Sequence, residues 1–285
     1  MEIEMVKVAA IQMQMSEDKS KNIQKAKEFV EQAAKNGANI ILLPELFEGY
    51  YFCQDMDEKY FSWAQPLKNN PIIAEFIPLA KEHHVVILVS YFEKTEDKYF
   101  NSLVAINTDG TVMDNYRKTH IPDGPGYEEK FYFTPGDTGF KVYKTEFGNV
   151  GVGICWDQWF CETARALTLM GADIIFYPTA IGSEPEIHLD SKEHWQRVQM
   201  GHAATNTVPV VAANRIGTEK GASSELTFYG SSFITDYTGE KIAEASRDQE
   251  EIIYGEFDFA ENAKQREYWG LIRDRRPAMY SKICK

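Results

Sequence analysis

The chain has 285 residues, 44% of them hydrophobic and 26% charged, so it is long enough to bury the core of one large domain or of two smaller halves. Its formal charge of -13 argues against a nucleic-acid partner, because phosphates are repelled by an acidic surface and RDRR at 273–276 is the only dense basic cluster. The sequence begins with no signal-peptide pattern and holds no apolar run near the roughly 20 residues of a membrane helix, so we expect a soluble protein without a membrane partner.

Short runs rich in Val, Ile and Phe alternate with segments of helical periodicity. The predicted strands cover residues 6–13, 39–44, 85–92, 101–106, 150–155, 173–178, 208–213, 230–235 and 251–257. The predicted helices cover residues 18–36, 71–83, 160–170 and 189–205. Continuous apolar strands separated by helices are typical of buried sheets, so the sequence predicts an α/β protein.

The two halves of the chain resemble each other. GANIILLPELF at 37–47 is similar to GADIIFYPTAI at 171–181, and SLVAINTDGTV at 102–112 is similar to SSFITDYTGEK at 231–241. The order of the intervening strands and helices also matches. We therefore predict two βαβαββ halves with approximate twofold symmetry, although α/β proteins also repeat such units by chance. Their sheets would lie face to face, and the carboxyl ends of their strands would meet at a shared crevice, where ligands usually bind.

Cys155 is a candidate nucleophile. It lies in GVGICWDQWF, where an apolar strand gives way to the start of a helix whose backbone N–H groups favour a thiolate. The alternative is an inert packed thiol, because free cysteines are among the most buried residues. No cysteine belongs to a CxxC pair, which indicates neither a disulfide framework nor a zinc ribbon and fits a reducing cytoplasm. The other cysteines are Cys53, Cys161 and Cys284.

Two further segments hold groups that could serve a cysteine nucleophile. Glu45 in LPELFEGYYF is a carboxylate among apolar and aromatic residues, a setting that suits proton transfer. Lys118 in YRKTHIP follows a predicted hairpin strand. Taken alone, Glu45 could be a helix cap and Lys118 an exposed charge. None of the 6 histidines lies in a context that indicates a Cys–His pair.

The segments around Glu45, Lys118 and Cys155, in this order, resemble those of the nitrilase superfamily of carbon–nitrogen hydrolases. The resemblance extends from AAIQM near the start to RDRRPAMY near the end. It implies a four-layer α-β-β-α sandwich, in agreement with the internal duplication. It also implies that these residues form a Glu–Lys–Cys triad and that Glu129, in PGYEEKFYFTPG, is a second glutamate. The adjacent Glu128 competes for that last assignment.

The chemistry that this resemblance implies is hydrolysis of an amide or carbamoyl group through a thioester-type intermediate. Glu45 takes the proton of Cys155, and Lys118 with the backbone N–H of Trp156 holds the oxyanion. A water molecule steered by Glu129 then releases the product. This reaction needs no metal and no other cofactor.

The branch of the family that this sequence resembles through four further motifs implies a small cationic carbamoyl substrate, N-carbamoylputrescine, which would yield putrescine, carbon dioxide and ammonia. The motifs that carry this are YRKTHIPDGPGYEEKFYFTPGDTGF, GICWDQWFCE, YPTAIGSEP and FYGSSFI. A primary ammonium needs acidic or aromatic partners in the pocket. The candidate binding residues are Asp123, Tyr127, Trp156, Glu184, Glu186 and Asp190.

Other substrates and a non-enzymatic role are the alternatives. Branches that act on carbamoyl amino acids bind a carboxylate, usually with arginine. Where such branches carry arginine, this chain has Gln158, Trp159 and Asp123. The absence of arginine at these positions argues against an anionic substrate. Arg215 in AANRIG could still bind a carboxylate, although a structural role is the simpler interpretation. An ω-amide substrate and a non-catalytic scaffold of the same fold remain open.

The C-terminal segment is predicted to take part in assembly. Residues 1–262 would form the hydrolase domain, and residues 263–285, which hold aromatic and basic residues without a repeating pattern, would form a tail. In the superfamily such tails often lie across a dimer interface. We therefore expect a homo-oligomer, a dimer or larger.

Overall fold

Strands and helices alternate along most of the protein in a computed structural model that describes residues 5–183, 189–222 and 224–284. The strands are β1 (Val6–Gln14), β2 (Ile40–Leu42), β3 (Val86–Lys94), β4 (Tyr99–Ile106), β5 (Tyr116–Arg117), β6 (Lys141–Thr145), β7 (Gly148–Val152), β8 (Ile174–Pro178), β9 (Val210–Ala213), β10 (Arg215–Lys220), β11 (Glu225–Tyr229), β12 (Phe233–Thr235), β13 (Lys241–Glu244) and β14 (Glu251–Phe257). The helices are α1 (Lys19–Lys35), α2 (Pro71–His83), α3 (Glu129–Tyr132), α4 (Cys161–Leu169), α5 (Lys192–Asn206) and α6 (Phe259–Trp269). Short 3-10 helices lie at Phe52–Gln54, Glu58–Trp63, Cys155–Trp159, Pro277–Met279 and Ser281–Cys284.

Local sequence signals explain where the helices on the first sheet begin. Asp18 precedes α1 and accepts backbone N–H groups of that helix, and Asn70 caps α2 in the same way ahead of Pro71. One face of α1 carries Ala26 and Val30 toward the core. None of the helices in the described part of the chain is both long and apolar enough to cross a membrane.

The strands form two mixed sheets with equivalent centres. The first sheet has the order β11-β10-β1-β2-β3-β4-β5, and β14 also pairs with β1. The second has the order β13-β12-β9-β8-β7-β6. Strands β1, β2 and β3 are parallel and β4 is antiparallel, and β7, β8, β9 and β12 repeat that arrangement. The duplication read from the sequence is therefore present in the fold.

Alternation of side chains along the strands divides the core into layers. Val8 of β1 belongs to an apolar cluster shared by the two sheets, which includes Phe176 of β8. Ala9 and Ile11 of β1 belong to a second cluster with residues of α1 and α2. The outer face of the second sheet packs against α4 and α5. The protein is thus a four-layer α-β-β-α sandwich, which confirms the predicted fold class.

The structure differs from the predicted elements at several places. The strand predicted for 150–155 ends at Val152, and Cys155 begins a 3-10 helix instead. Strands β6, β10, β11 and β13 and helices α3 and α6 were not predicted, because they are short or interrupted by charged residues, whereas β5 is the hairpin strand expected before Lys118. The β10–β11 hairpin lies between two strands of the second half in sequence, yet it pairs with β1 of the first sheet. The predicted boundary after residue 262 falls inside α6.

Candidate active site

The ends of three strands bring the predicted triad together on one side of the sandwich. Glu45 lies just beyond β2, Lys118 directly follows β5, and Cys155 lies just beyond β7. Glu45 and Lys118 are completely buried, and Cys155 is 6% exposed. The charges of Glu45, Lys118 and Glu129 all act on the Cys155 thiol. These groups therefore form one cluster, although they are distant in sequence.

Lys118 joins the two glutamates. Its ammonium donates to Glu45 Oε1 at 2.8 Å and to Glu129 Oε2 at 2.6 Å. Burial alone would lower the pKa of Lys118, but the charges of Glu129 and Glu45 raise it well above its usual value, so the side chain is an ammonium. Glu129, rather than the adjacent Glu128, makes this contact.

Two neutral side chains complete the hydrogen bonding of the glutamates. Asn101 Nδ2 donates to Glu45 Oε1 at 2.7 Å, and the Tyr51 hydroxyl donates to Glu129 Oε1 at 2.7 Å. Burial raises the pKa of Glu129 to about 7, against the opposing effect of the Lys118 charge. Sequence reasoning missed Asn101 and Tyr51, because their roles depend on which side chains the fold places beside them.

One carboxylate oxygen and one ammonium proton of the cluster remain available. Glu45 Oε2 is buried and has no hydrogen-bond partner among the described residues. A lysine ammonium has three N–H donors, and the two glutamates account for two of those of Lys118. The cluster can therefore accept one proton at Glu45 and donate one hydrogen bond from Lys118 to a bound molecule.

Cys155 occupies a strained backbone position. Its φ is 41°, in the left-handed region that residues other than glycine rarely adopt. Its Sγ lies 3.8 Å from the carbonyl oxygen of Ala180. Burial and the charge of Glu45 raise the pKa of the thiol well above its usual value. This direction contradicts the expectation of a favoured thiolate, because burial, the largest cause of the shift, disfavours the charged form.

Asp157 holds the turn that carries Cys155. Its Oδ2 accepts the backbone N–H of Ile154 at 2.9 Å and the hydroxyl of Tyr116 at 2.7 Å. Its Oδ1 accepts the backbone N–H of His120 at 3.0 Å and lies 2.7 Å from Nδ1 of the same residue. Sequence reasoning missed this role, although an acidic residue in the first turn of a helix is a recognisable capping signal.

A pocket of about 160 Å³ opens over Cys155. Asp123, Tyr127 and Trp156, three of the predicted binding residues, line it, and no described residue in its lining is basic. The full described lining is Pro122, Asp123, Gly124, Pro125, Tyr127, Glu129, Cys155, Trp156, Trp159, Ala180 and Ile181. A larger cleft of about 460 Å³, lined by residues such as Lys19 and Glu48, lies elsewhere and does not include the thiol.

The predicted binding residues differ in how they are held. Tyr127 is fixed, because its hydroxyl accepts the N–H of Gly182 at 3.1 Å and donates to the carbonyl of Ser183 at 3.2 Å. Asp123 is partly exposed and lies 3.9 Å from the ammonium of Lys130. Trp156 is 39% exposed.

Of the remaining predicted binding residues, Asp190 is described and does not line the pocket. Asp190 is exposed, forms an ion pair with Arg247 at 2.8 Å and accepts the N–H of Lys192 at the start of α5. Its acidic type alone suggested a binding role, and the fold places it outside the pocket lining. Glu184 and Glu186 lie outside the described residues.

Arg215 binds backbone carbonyl groups and does not form part of an exposed ligand site. It is completely buried, and its guanidinium donates to the carbonyls of Glu45 at 2.7 Å, Leu46 at 3.1 Å and Gly49 at 3.2 Å. It also pairs with Glu219 at 2.9 Å. The guanidinium is therefore committed to the loop that carries Glu45, which supports the structural interpretation of this residue.

Known proteins resemble this chain over nearly its whole length. The model of the family described as carbon-nitrogen hydrolase matches residues 7–267. A citrullinase of Francisella tularensis subsp. tularensis is 52% identical over 281 residues, which covers 98% of both chains. An N-carbamoylputrescine amidase of Arabidopsis thaliana is 54% identical over 280 residues, 96% of this chain and 94% of that one. The crystal structure of a carbon-nitrogen hydrolase from Helicobacter pylori G27 superposes with a TM-score of 0.93 at 39% identity, covering 99% of both chains.

Proposed function

The chain belongs to the carbon–nitrogen hydrolase family of the nitrilase superfamily, and we propose that it hydrolyses N-carbamoylputrescine to putrescine, carbon dioxide and ammonia. The observation that carries the choice of substrate is the described pocket lining, which holds the Asp123 carboxylate and aromatic rings but no basic side chain. The relatives named N-carbamoylputrescine amidase, from Arabidopsis thaliana and from Oryza sativa subsp. japonica among others, support it.

In the first step of the proposed reaction, Sγ of Cys155 forms a bond with the carbamoyl carbon of the substrate. The Cys155 thiol gives its proton to Glu45 Oε2, the oxygen without a partner, as the C–S bond forms. Negative charge develops on the carbamoyl oxygen and is held by the spare N–H of Lys118 and by the backbone N–H of Trp156, which lies in the first turn of its helix. One such donor typically contributes about 3 kcal/mol to the stability of the transition state.

The second half of the reaction releases the products. Ammonia leaves with the proton held by Glu45, and the rest of the substrate stays bound to Cys155 as a thiocarbamate, an intermediate of the thioester type. A water molecule oriented by Glu129 gives a proton to Glu45 and attacks this carbon, and the C–S bond breaks as Cys155 regains its proton. The released carbamic acid loses carbon dioxide to give putrescine.

The far end of the substrate carries a primary ammonium. Asp123 offers it a carboxylate at the edge of the pocket, and Tyr127 and Trp156 offer the methylene chain apolar surface. Glu184 and Glu186, which lie outside the described residues, remain candidate partners of the same ammonium. Asp190, outside the pocket lining, is a weaker candidate.

Citrulline is the second candidate substrate, and the relative named citrullinase favours it. Citrulline shares the carbamoyl group, an alkyl chain and an ammonium with N-carbamoylputrescine and adds a carboxylate beside the ammonium. No described lining residue is basic, and the cation nearest to Asp123 in the described structure, Lys130, lies outside the lining, so the carboxylate of citrulline would meet Asp123 without a basic partner in the pocket. We therefore place citrulline second.

Ammonia release from the purified protein tests the proposal. The substrates are N-carbamoylputrescine, citrulline, N-carbamoyl-β-alanine and a free ω-amide, with Cys155→Ser as the inactive control. A kcat/KM for N-carbamoylputrescine at least about tenfold above that for citrulline is expected, a difference of about 1.4 kcal/mol in transition-state binding. A higher kcat/KM for citrulline would make citrulline the substrate in place of N-carbamoylputrescine. No ammonia release from any of the four compounds would favour a non-catalytic scaffold.

We also propose that the protein is a homo-oligomer of the cytoplasm. Large apolar side chains are exposed on α6 and the segment after it, among them Trp269, Met279 and Ile283, and a second copy could cover them. A reducing compartment suits a reaction that needs Cys155 as a thiol. Light scattering of the purified protein tests the first statement, and fractionation of the cell tests the second.

A further inference from the structure

The β10–β11 hairpin reaches from the second half of the chain to the two glutamates of the first half. We propose that Arg215 and Glu219, both on β10, are positioning residues that fix Glu45 and Glu129 relative to Cys155. This inference rests on the proposed hydrolytic function. It adds a role to a hairpin that contributes no described side chain to the lining of the pocket.

Arg215 acts on Glu45 through the backbone. Its Nη2 donates to the carbonyl oxygens of Glu45 at 2.7 Å and Leu46 at 3.1 Å. Leu46 has a φ of 48°, so the loop bends through a left-handed conformation directly after the proposed base. Two donors from one rigid, planar guanidinium hold that bend, and a lysine could not reproduce their geometry.

Glu219 acts on Glu129 through Tyr51. Its Oε2 accepts the backbone N–H of Tyr51 at 2.5 Å, and its Oε1 accepts from Arg215 at 2.9 Å. The hydroxyl of Tyr51 donates to Glu129 Oε1 at 2.7 Å. Burial raises the pKa of Tyr51 well above its usual value, so this hydroxyl is always a donor. The position of Glu129 is thereby tied to the hairpin.

The two arms close into a ring. Lys118 bonds both Glu45 and Glu129, so the path returns to its start through six residues, with the backbone carbonyl of Glu45 and the backbone N–H of Tyr51 as two of its links. Every member is at most 5% exposed. In order the members are Arg215, Glu219, Tyr51, Glu129, Lys118 and Glu45.

The energetics of buried charges indicate what the ring does. A buried ion pair such as Arg215 with Glu219 contributes little net stability, because removing both charges from water offsets most of their attraction. Such a pair does restrict geometry, since a hydrogen bond weakens steeply as its donor angle departs from linear. Displacing a catalytic group by about 1 Å can lower a rate by about 100-fold. The ring therefore serves the placement of the two glutamates more than the stability of the fold.

Variants on the hairpin test this proposal. Glu219→Gln keeps the shape of the side chain and removes its charge, and Arg215→Lys keeps a charge and removes the planar pair of donors. We expect kcat to fall by about 10- to 100-fold in each, with KM changed by less than about twofold. Arg266→Lys is the matched control, because Arg266 also donates to backbone carbonyls, those of Thr207 and Ala172, away from the site. Its kcat should stay within about twofold of the wild type.

A double variant tests the proposed path. Tyr51→Phe removes the hydroxyl that reaches Glu129 but keeps the backbone N–H bonded to Glu219. If Glu219 acts through Tyr51, adding Glu219→Gln to Tyr51→Phe lowers kcat by clearly less than it does in the wild type. Fully multiplicative effects on kcat, or a lower melting temperature with an unchanged kcat, would overturn the proposal.

Alkylation of Cys155 separates this inference from the choice of substrate. The rate of iodoacetamide labelling at pH 7, followed at the Cys155 peptide by mass spectrometry, depends on the nearby base but needs no substrate. We expect labelling to slow by about tenfold in Glu219→Gln and Arg215→Lys and to be unchanged in Arg266→Lys. Equal labelling in all variants would remove the positioning role. Failure to turn over N-carbamoylputrescine, with slowed labelling, would overturn the substrate alone.

Discussion

The floor and the mouth of the pocket differ in how firmly their side chains are held. We call the cluster of Glu45, Lys118, Glu129 and Cys155 the floor; Glu129 and Cys155 line the pocket, and the other two lie beside them in the cluster. The floor is buried, and its three charged groups are joined by hydrogen bonds of 2.8 Å or less. The mouth, defined as Asp123, Tyr127 and Trp156, contains two partly exposed side chains and only one, Tyr127, that is fixed by backbone partners. Fixed charges are needed at the floor, where bonds form and break. Adjustable contacts are sufficient at the mouth, which only has to bind the alkyl chain and ammonium of the substrate.

Removing the thiol is the strongest test of the floor. Cys155→Ala should lower kcat by at least about 10⁴-fold, because no other group can form the covalent intermediate. Cys161→Ser, at an exposed cysteine that begins α4, should keep full activity. Both are measured as ammonia release, with circular dichroism as the check on folding. Substantial turnover by Cys155→Ala would place the chemistry elsewhere.

Removing the proposed base should have the next largest effect. Glu45→Gln keeps the shape of the side chain and an oxygen that can accept a hydrogen bond from Lys118, but it removes the base. We therefore expect kcat to fall by about 10²- to 10⁴-fold. Glu48→Gln is the matched control, because Glu48 is a buried glutamate of the same loop that pairs with Lys19 in another cleft. If the two variants lost the same activity, the loss would reflect damage to the loop and not a missing base.

Glu129 gives the floor a pH dependence near neutrality. Its charged form orients the water and holds Lys118, so kcat should rise with pH through about 7, the pKa to which burial raises this carboxyl. We expect a change of about tenfold between pH 6 and pH 8. In Glu129→Gln the overall rate should be lower and this rise should be absent. A rise that persists in the variant would belong to another group.

The contribution of Glu129 to the free energy of unfolding should fall as the pH rises, whereas kcat should rise. The pKa of Glu129 is raised in the folded state above the value of about 4.3 of an unfolded glutamate, so the folded protein binds this proton more tightly. The contribution of Glu129 to the free energy of unfolding is therefore largest at low pH and is lost as the pH rises from about 4.3 to about 7. Urea titrations of the wild type and Glu129→Gln should diverge over this range. Parallel curves would contradict the burial argument.

The smallest expected effect lies at the mouth. Asp123→Asn should raise KM for N-carbamoylputrescine by about two- to fivefold and leave kcat unchanged, because a partly exposed charge pair is weak. Asp190→Asn is the control for acidic residues in general, since Asp190 pairs with Arg247 outside the pocket lining. Equal KM values in the two variants would show that long-range charge, and not contact, attracts the substrate. A fall in kcat at Asp123 would erase the distinction between floor and mouth.

The sequence predicted the sandwich well because apolar runs and their duplication mark buried strands. It missed the β10–β11 hairpin, since Glu219 and Lys220 interrupt the apolar pattern there and nothing local indicates that the hairpin joins the other sheet. Pairing between distant segments depends on tertiary contacts, which periodicity cannot show.

The sequence placed part of the site and could not place the rest. Ordered motifs drew attention to Glu45, Lys118 and Cys155, and the structure brings them together. The partners Asn101 and Tyr51 come from unrelated elements and carry no motif of their own. Residue type alone could not show that Asp123 lines the pocket and Asp190 does not, because their positions depend on how the loops fold.

The pairing of β1 has a consequence for how the protein is made. Val6–Gln12 pairs with β14 near the end of the chain, and Met13 and Gln14 pair with β10 of the hairpin. Strand β1 is thus synthesised well before two of its partners, β10 and β14, although its other partner, β2, follows it closely. Synthesis must pass residue 257 before the first sheet is complete, so the growing chain cannot close that sheet until β14 has been made.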